Sequence, residues 1–275
     1  MRPPIINVMT AAARKAARGL IHDFGEVEQL QVSQKGPSDF VSEADRRADR
    51  ILREELTRAR PAFGLLIEES GTGGAADAED RWIVDPLDGT TNFLHGVPHF
   101  AISIAHESRG ELVAGLIYDP VRDESFWAAR GKGAYLNNRR LRVSARREMS
   151  EALLATGIPF ASRPGKDEML AALRPVMERT AGVRRFGAAS LDLAYVAAGR
   201  YDAFWEIGLS PWDVAAGIVI VREAGGLVSE LTGGDDPLDG GTILAANDKL
   251  FEPIGAMLRE ATGLRGARGS ARARA

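Results

Sequence analysis

Arg81-Trp82-Ile83-Val84-Asp85-Pro86-Leu87-Asp88-Gly89-Thr90-Thr91-Asn92-Phe93-Leu94-His95-Gly96-Val97-Pro98-His99-Phe100 is the stretch around which the chain is organised. Trp82, Ile83 and Val84 form a short apolar run with β-branched members, which suits a buried strand. Asp85 and Pro86 are expected to end it, because proline cannot continue a hydrogen-bonded ladder. Asp85 and Asp88 then stand three residues apart on a turn, followed at once by Gly89, Thr90, Thr91 and Asn92. A glycine lets the backbone approach a ligand, and the next amides can point at an anion if a helix begins there. Hard cations take carboxylate and carbonyl oxygens, and magnesium commonly shares its shell with substrate phosphate. Acid, acid, glycine and hydroxyl in that order suit a divalent cation beside a phosphate. The same residues also suit an ordinary strand-end turn, where Asp, Pro and Gly are common. Two other segments decide between the readings.

A chain of 275 residues with 45% hydrophobic content can bury a full core, as one large domain or two tightly joined halves. The formal charge of -3 gives no overall basic field directed at nucleic acid. The charge is uneven, because Arg265, Arg268, Arg272 and Arg274 lie in an acid-free end. Cysteine is absent, which excludes disulfides, thiolate catalysis and zinc–thiolate sites and fits a cytoplasmic protein. The N-terminal segment has no charged-then-apolar signal pattern. No run of about 18 apolar residues occurs, so no membrane span is expected.

Residues 4 to 24 read as an amphipathic helix, with Ile5, Met9, Ala12, Ala16, Leu20 and Phe24 recurring at three- or four-residue steps. Lys35-Gly36-Pro37-Ser38-Asp39 is a turn cluster leading into Phe40-Val41. A second helix is expected from about Ser42 to Ala59, with Ser42 as its cap and Asp45 in its first turn. Asp45 there also reads as an acid that favours the helix dipole. Gly64 to Ile67 reads as a strand ending in Glu68-Glu69-Ser70, and a polar, glycine-rich loop follows to Asp80. Paired glutamates are usually solvated; these end an apolar strand, as Asp85 does, which favours a shared site.

Beyond the central stretch, strands are expected at 100–106, 112–118, 124–128 and 134–136, with hairpin signals at Arg109-Gly110 and Asn137-Asn138. From Leu153 onward strands and helices alternate: strands at 153–156, 203–205, 227–231 and 242–246, helices at 167–178, 191–198, 212–223 and 250–261. Such alternation argues an α/β half. The expected organisation is an N-terminal α+β half over 1–145, a C-terminal α/β half over 146–263, and a disordered basic tail over 264–275.

The third constellation is Ser210-Pro211-Trp212-Asp213-Val214-Ala215-Ala216-Gly217. Ser210 can cap a helix, Pro211 fits its first position, Asp213 lies in the first turn, and Gly225-Gly226 close it. Taken with Asp39-Phe40-Val41-Ser42-Glu43-Ala44-Asp45, Glu68-Glu69-Ser70 and Asp85-Pro86-Leu87-Asp88-Gly89-Thr90-Thr91-Asn92, these residues make the chain resemble the inositol monophosphatase family, most of all its bacterial members. The resemblance runs in order from about Lys35 to Asn247, and four spaced motifs make it specific.

The resemblance implies a layered α/β/α/β/α sandwich of the sugar-phosphatase type, Mg2+ dependence, hydrolysis of a phosphate monoester of a small polyol, sensitivity to lithium, and a homodimer. It implies that Glu68, Asp85 and the Leu87 carbonyl hold a first magnesium, that Asp85, Asp88 and Asp213 hold a second, and that Glu68 helps a weaker third near Lys35. Thr90 and Asp45 match the pair that positions the attacking water, and the Gly89 and Thr90 amides match the phosphate cradle. Arg184, Ala189 and Glu206 match positions at or beside the polyol. Ile67 replaces a customary glycine, and Ala188-Ala189-Ser190 varies a Gly-Ser/Thr-Ala-Ala run, which leaves the substrate open. Histidinol phosphate, fructose 1,6-bisphosphate, a nucleotide 3'-phosphate and NADP are alternatives to myo-inositol monophosphate. A role on RNA or a transcription complex is an alternative of another class, and the arginine tail favours it. His22, His95, His99 and His106 lack ligand spacing and read as structural or surface residues.

Overall fold

The computed structural model describes residues 2–26, 32–36, 39–159 and 164–264, and at 32–36 and 39–42 the backbone alone. The Lys35 side chain, the turn at 37–38 and the arginines of the tail therefore lie outside the described residues. The chain opens with α1 (Pro4–Phe24), the hairpin β1 (Val32–Gly36) and β2 (Asp39–Ser42), and α2 (Glu43–Ala59). Then come β3 (Gly64–Ile67), β4 (Gly71–Gly74), β5 (Asp80–Asp88), the short helix α3 (Thr90–Leu94), and β6 (Ala101–Ser108) to β7 (Glu111–Asp119). β8 (Glu124–Ala129), β9 (Gly133–Leu136) and β10 (Arg139–Arg140) complete an eight-stranded sheet in the order β10-β9-β8-β7-β6-β5-β3-β4. The remainder is β11 (Leu153–Thr156), α4 (Lys166–Arg179), β12 (Gly182–Arg184), α5 (Ala189–Ala197), β13 (Ala203–Ile207), α6 (Pro211–Glu223), β14 (Leu227–Ser229), β15 (Thr242–Ala246) and α7 (Phe251–Thr262). Its five strands form a second sheet ordered β12-β11-β13-β15-β14.

Side-chain parity divides the core. Successive residues of a strand face opposite sides, so Trp82 and Val84 of β5 pack with Met9, Ala16 and Leu20 of α1 and Leu52 and Leu56 of α2. Ile83 points the other way, into a core shared with Leu193 of α5 and Ile218 of α6. α6 is buried without a break from Val214 to Val221, as expected of a helix apolar all round. It lies directly on β7: a Cβ on Gly115 would come 2.6 Å from the Ala216 carbonyl oxygen. Ala172 and Val176 of α4 and Ile254 and Leu258 of α7 cover the outer face of the second sheet, against Leu154, Trp205 and Leu244. The layers are therefore α1/α2, large sheet, α5/α6, small sheet, α4/α7, the expected α/β/α/β/α sandwich.

The turn signals read correctly. Arg109 and Gly110 both take positive φ (53° and 78°) between β6 and β7, the conformation two-residue hairpins favour. Three features of the sheets were not read from the sequence. β5 does not stop at Pro86: its pairing with β6 shifts register between Asp85 and Asp88, and the proline sits in that irregularity, where no ladder bond is lost. The glycine-rich loop contains β4, which pairs antiparallel with β3 through backbone alone. The second sheet is mixed, with β11 parallel to β12 and β13 but β15 antiparallel to β13 and β14.

Candidate active site

The register of β3 against β5 begins the site. They run parallel with Ile67 opposite Val84, and the Glu68 N–H donates to the Val84 carbonyl at 3.1 Å, which sets Glu68 beside Asp85. Past the irregularity, Gly89 turns the chain at φ 93°, where a Cβ would meet the His99 carbonyl oxygen at 3.0 Å. Only glycine fits that turn without strain. α3 then begins with Thr90, whose hydroxyl lies 3.0 Å from both Asp45 Oδ1 and the Leu87 carbonyl oxygen. Asp45 is thereby joined to the central stretch from the first turn of α2, at 1% exposure. Asp213 arrives from the first turn of α6, its Oδ2 accepting the Ser210 N–H at 2.7 Å in one half of a capping box.

Glu68, Asp85, Asp88 and Asp213 line a single cleft together with Leu87. The Leu87 N–H donates to Asp85 Oδ1 at 2.9 Å. The Ser190 N–H donates to Asp88 Oδ2 at 2.8 Å, and the Ser190 hydroxyl donates to the same oxygen. Burial pushes Asp85 well above the usual carboxylate range, and the charges of Glu68, Asp88 and Asp213 push it further. Asp88 is pushed up to about 6 by burial, although the two Ser190 hydrogen bonds oppose the shift. Two buried carboxylates, Asp85 and Asp88, sharing a cleft with the half-buried Glu68 and Asp213, call for a cation. The donor set, four carboxylates and a carbonyl with no nitrogen or sulfur, fits a hard divalent ion such as magnesium. Among the described residues no three acid or imidazole side chains are already drawn together as a metal-ligand group.

Glu68, Asp85, Leu87, Asp88, Gly89, Thr90, Ala189, Glu206 and Asp213 all line this cleft, and Asp45 reaches it through Thr90. Arg184 does not. It is the exposed last residue of β12, its guanidinium donates to the Val183 carbonyl, and its neighbour Arg185 lines the cleft instead. The strand ends at 184, so the next residue is the first free to turn inward. Three residues have supporting roles that the motifs do not reveal. Ser190 orients Asp88; Asn92 Nδ2 donates to the carbonyls of His99 (2.8 Å) and Phe186 (2.7 Å); and Gly157 makes room for Glu206, whose carboxylate a Cβ there would overlap. A serine in the first turn of a helix beside a buried acid is the one signal that could have found Ser190.

The histidines stay out of the site chemistry. His106 Nε2 pairs with Asp80 at 2.8 Å, and His95 Nδ1 contacts the Thr91 carbonyl. His99 is buried, and its Nε2 has no partner among the described residues. Burial, reinforced by the charge of Arg122, pushes its imidazole down from 6.5 to about 4. A base with a depressed folded pKa adds stability that is whole above the unfolded value and lost as pH falls. The contribution of His99 is therefore expected to fade between pH 6.5 and about 4, by about 3 kcal/mol in all. Denaturant titrations across that window should show the loss in wild type and a flatter acid limb in His99→Phe.

Fold and cleft together define a layered α/β protein whose acid-lined cleft suits a divalent cation. The sequence pattern of the inositol monophosphatase family matches residues 1–262. An inositol-1-monophosphatase of Mesorhizobium japonicum is 55% identical over 247 residues, which span 90% of this chain and 93% of that protein. The Nus factor SuhB of Pseudomonas aeruginosa is 49% identical over 255 residues, 91% of this chain and 94% of that one. The crystal structure of the extragenic suppressor protein SuhB from Bartonella henselae superposes with a TM-score of 0.91 at 54% identity, covering 94% of this chain and 99% of that one. The chain belongs to the inositol monophosphatase family. No described helix is long and apolar enough to cross a membrane.

Proposed function

We propose that the protein hydrolyses a myo-inositol monophosphate with Mg2+ as cofactor. The observation that carries the reading is the convergence of Glu68, Asp85, Asp88 and Asp213, from three separate parts of the chain, on the cleft beside the Gly89–Thr90 turn. Glu68, Asp85 and the Leu87 carbonyl are assigned to one magnesium, Asp85, Asp88 and Asp213 to a second, and Glu68, on the Lys35 side, to a weaker third. When bound, magnesium supplies a more acidic water and neutralises the leaving alkoxide.

The chain's own residues supply positioning and charge, which is most of what phosphoryl transfer asks of a protein. Thr90 donates its hydroxyl hydrogen to Asp45 Oδ1, so its oxygen lone pairs face the attacking water and orient it. Asp45 takes up the proton relayed through Thr90 Oγ1. The Gly89 and Thr90 amides hold phosphate oxygens. Ala189 leaves space for the ring, and Glu206 accepts hydrogen bonds from its hydroxyls. The reading includes a cytoplasmic homodimer. A phosphate-release screen of myo-inositol 1-phosphate against histidinol phosphate, fructose 1,6-bisphosphate, a nucleotide 3'-phosphate and NADP, with and without magnesium, tests it. A preference for any of the latter four would replace the substrate and keep the chemistry.

A second activity, binding RNA within a transcription complex, has two supports. Relatives carry the name Nus factor. Arg139, Arg140 and Arg142 are exposed on and just after the edge strand β10, and none of them forms an ion pair among those found in the described residues. Each arginine that contacts a phosphate should contribute about one unit to the salt slope of binding. Arg139→Glu/Arg140→Glu/Arg142→Glu is expected to weaken RNA retention and flatten its salt dependence by about three units, with phosphate release unchanged. Truncation before Arg265 measures the share of the tail in the same assay. Salt-independent retention in every variant would dismiss this second activity.

A further inference from the structure

Arg185 is the only basic side chain among the described residues that line the cleft. The backbone beside it leaves room for its guanidinium. Gly187 takes φ 80°, and a Cβ on it would lie 2.8 Å from the Arg185 guanidinium, so the glycine gives that group its resting place. Asn92, on the same short helix as Thr90, fixes the 186–187 backbone by donating to the Phe186 carbonyl at 2.7 Å and the Gly187 carbonyl at 3.4 Å. The loop that carries Arg185 is thus tied to the turn assigned to the phosphate. Arg185 and Glu206 also act with opposite sign on the same buried carboxyl, that of Asp192, three residues along α5 from the cleft-lining Ala189. This places the two groups on the α5 side of the cleft. Glu206 is confined against Gly157, where any side chain would overlap its carboxylate.

The cleft therefore presents a group that only donates hydrogen bonds beside one that, when ionised, only accepts them. A hydroxyl both donates and accepts, and two neighbouring ring hydroxyls match the two-pronged face of a guanidinium. We propose that Arg185 is a specificity-determining residue that donates two N–H hydrogen bonds to adjacent hydroxyl oxygens of the alcohol half of the substrate, selecting phosphate esters of vicinal polyols. The inference rests on the reading of the cleft as a phosphomonoesterase site and names the substrate class of that site.

The test is steady-state hydrolysis by the full-length protein with magnesium, using myo-inositol 1-phosphate and p-nitrophenyl phosphate, an ester whose leaving group has no free hydroxyl. Arg185→Ala is expected to lower kcat/KM on the polyol ester by about 10- to 100-fold, chiefly through KM, as loss of hydrogen bonds from a charged donor implies. Turnover of the aryl ester should stay close to wild type. Arg185→Lys should restore part of the loss, because an ammonium offers charge without the fork. Equal losses on the two esters would overturn the proposal, because they would mean that Arg185 serves the phosphate or the integrity of the loop. An unchanged KM for the polyol ester would overturn it as well. Wild-type protein active on the aryl ester but not on the polyol would end the specificity claim and spare the phosphatase reading. Protein inert toward both esters would remove the two together.

Discussion

Asp88→Asn is expected to lower turnover by more than about 100-fold while the fold survives. Residues that merely orient a metal ligand cost about 10- to 100-fold when replaced, and Asp88 is assigned to the metal directly. The substitution keeps the shape, and an amide oxygen can still accept from the Ser190 N–H and hydroxyl that hold Asp88 Oδ2. It removes a charge whose protonation burial favours and which Glu68 repels. In chelator the variant should therefore melt at or above the wild-type temperature, and only the metal-loaded activity should collapse. Kinetics at saturating magnesium, with a melting curve on the same sample, read the two effects separately. Near-wild-type turnover would remove Asp88 from the metal shell.

Thr90→Val is expected to reduce kcat by about 100-fold or more, within the range that a positioned proton-transfer group contributes, with KM little changed. Valine keeps the volume and removes the hydroxyl that connects Asp45 Oδ1 and the Leu87 carbonyl. Asp45, at 1% exposure, would lose that partner, which adds about 1–3 kcal/mol of destabilisation. Thr90→Ser keeps the hydroxyl and should retain most of the rate. A serine variant as slow as the valine variant would mean that the threonine methyl, and not the hydroxyl, is what the site needs.

Much of the architecture could be read from order and spacing, because its causes are local. α1 shows its period in Met9, Ala16 and Leu20, the same residues that bury against the large sheet. Glu68, Asp88 and Asp213 were legible because each ends a strand or starts a helix, where a side chain can leave the regular lattice and face a ligand, and Asp85 stands at the irregularity inside β5. What could not be read depends on partners distant in the chain. β5 passes through Pro86 only because its pairing with β6 slips at that point. β4 is a strand of glycine and threonine that exists through its backbone bonds to β3.

The choice between Arg184 and Arg185 follows the same logic. It turns on where the three-residue β12 stops, and β12 is defined by its parallel pairing with β11. Ser190 looked like a variation within a small-residue run. Its purpose emerges only when α5 is set against the end of β5 and both donors meet one Asp88 oxygen.

The most direct test of the central claim, that these four acids make a magnesium-dependent phosphatase centre, is the rate of phosphate release from myo-inositol 1-phosphate as free magnesium is raised from zero in chelator-treated protein. The rate should start at background and climb to saturation in wild type, and stay near background throughout in Asp88→Asn. Release that is already complete in chelator, or a rise of equal size in wild type and variant, would contradict it.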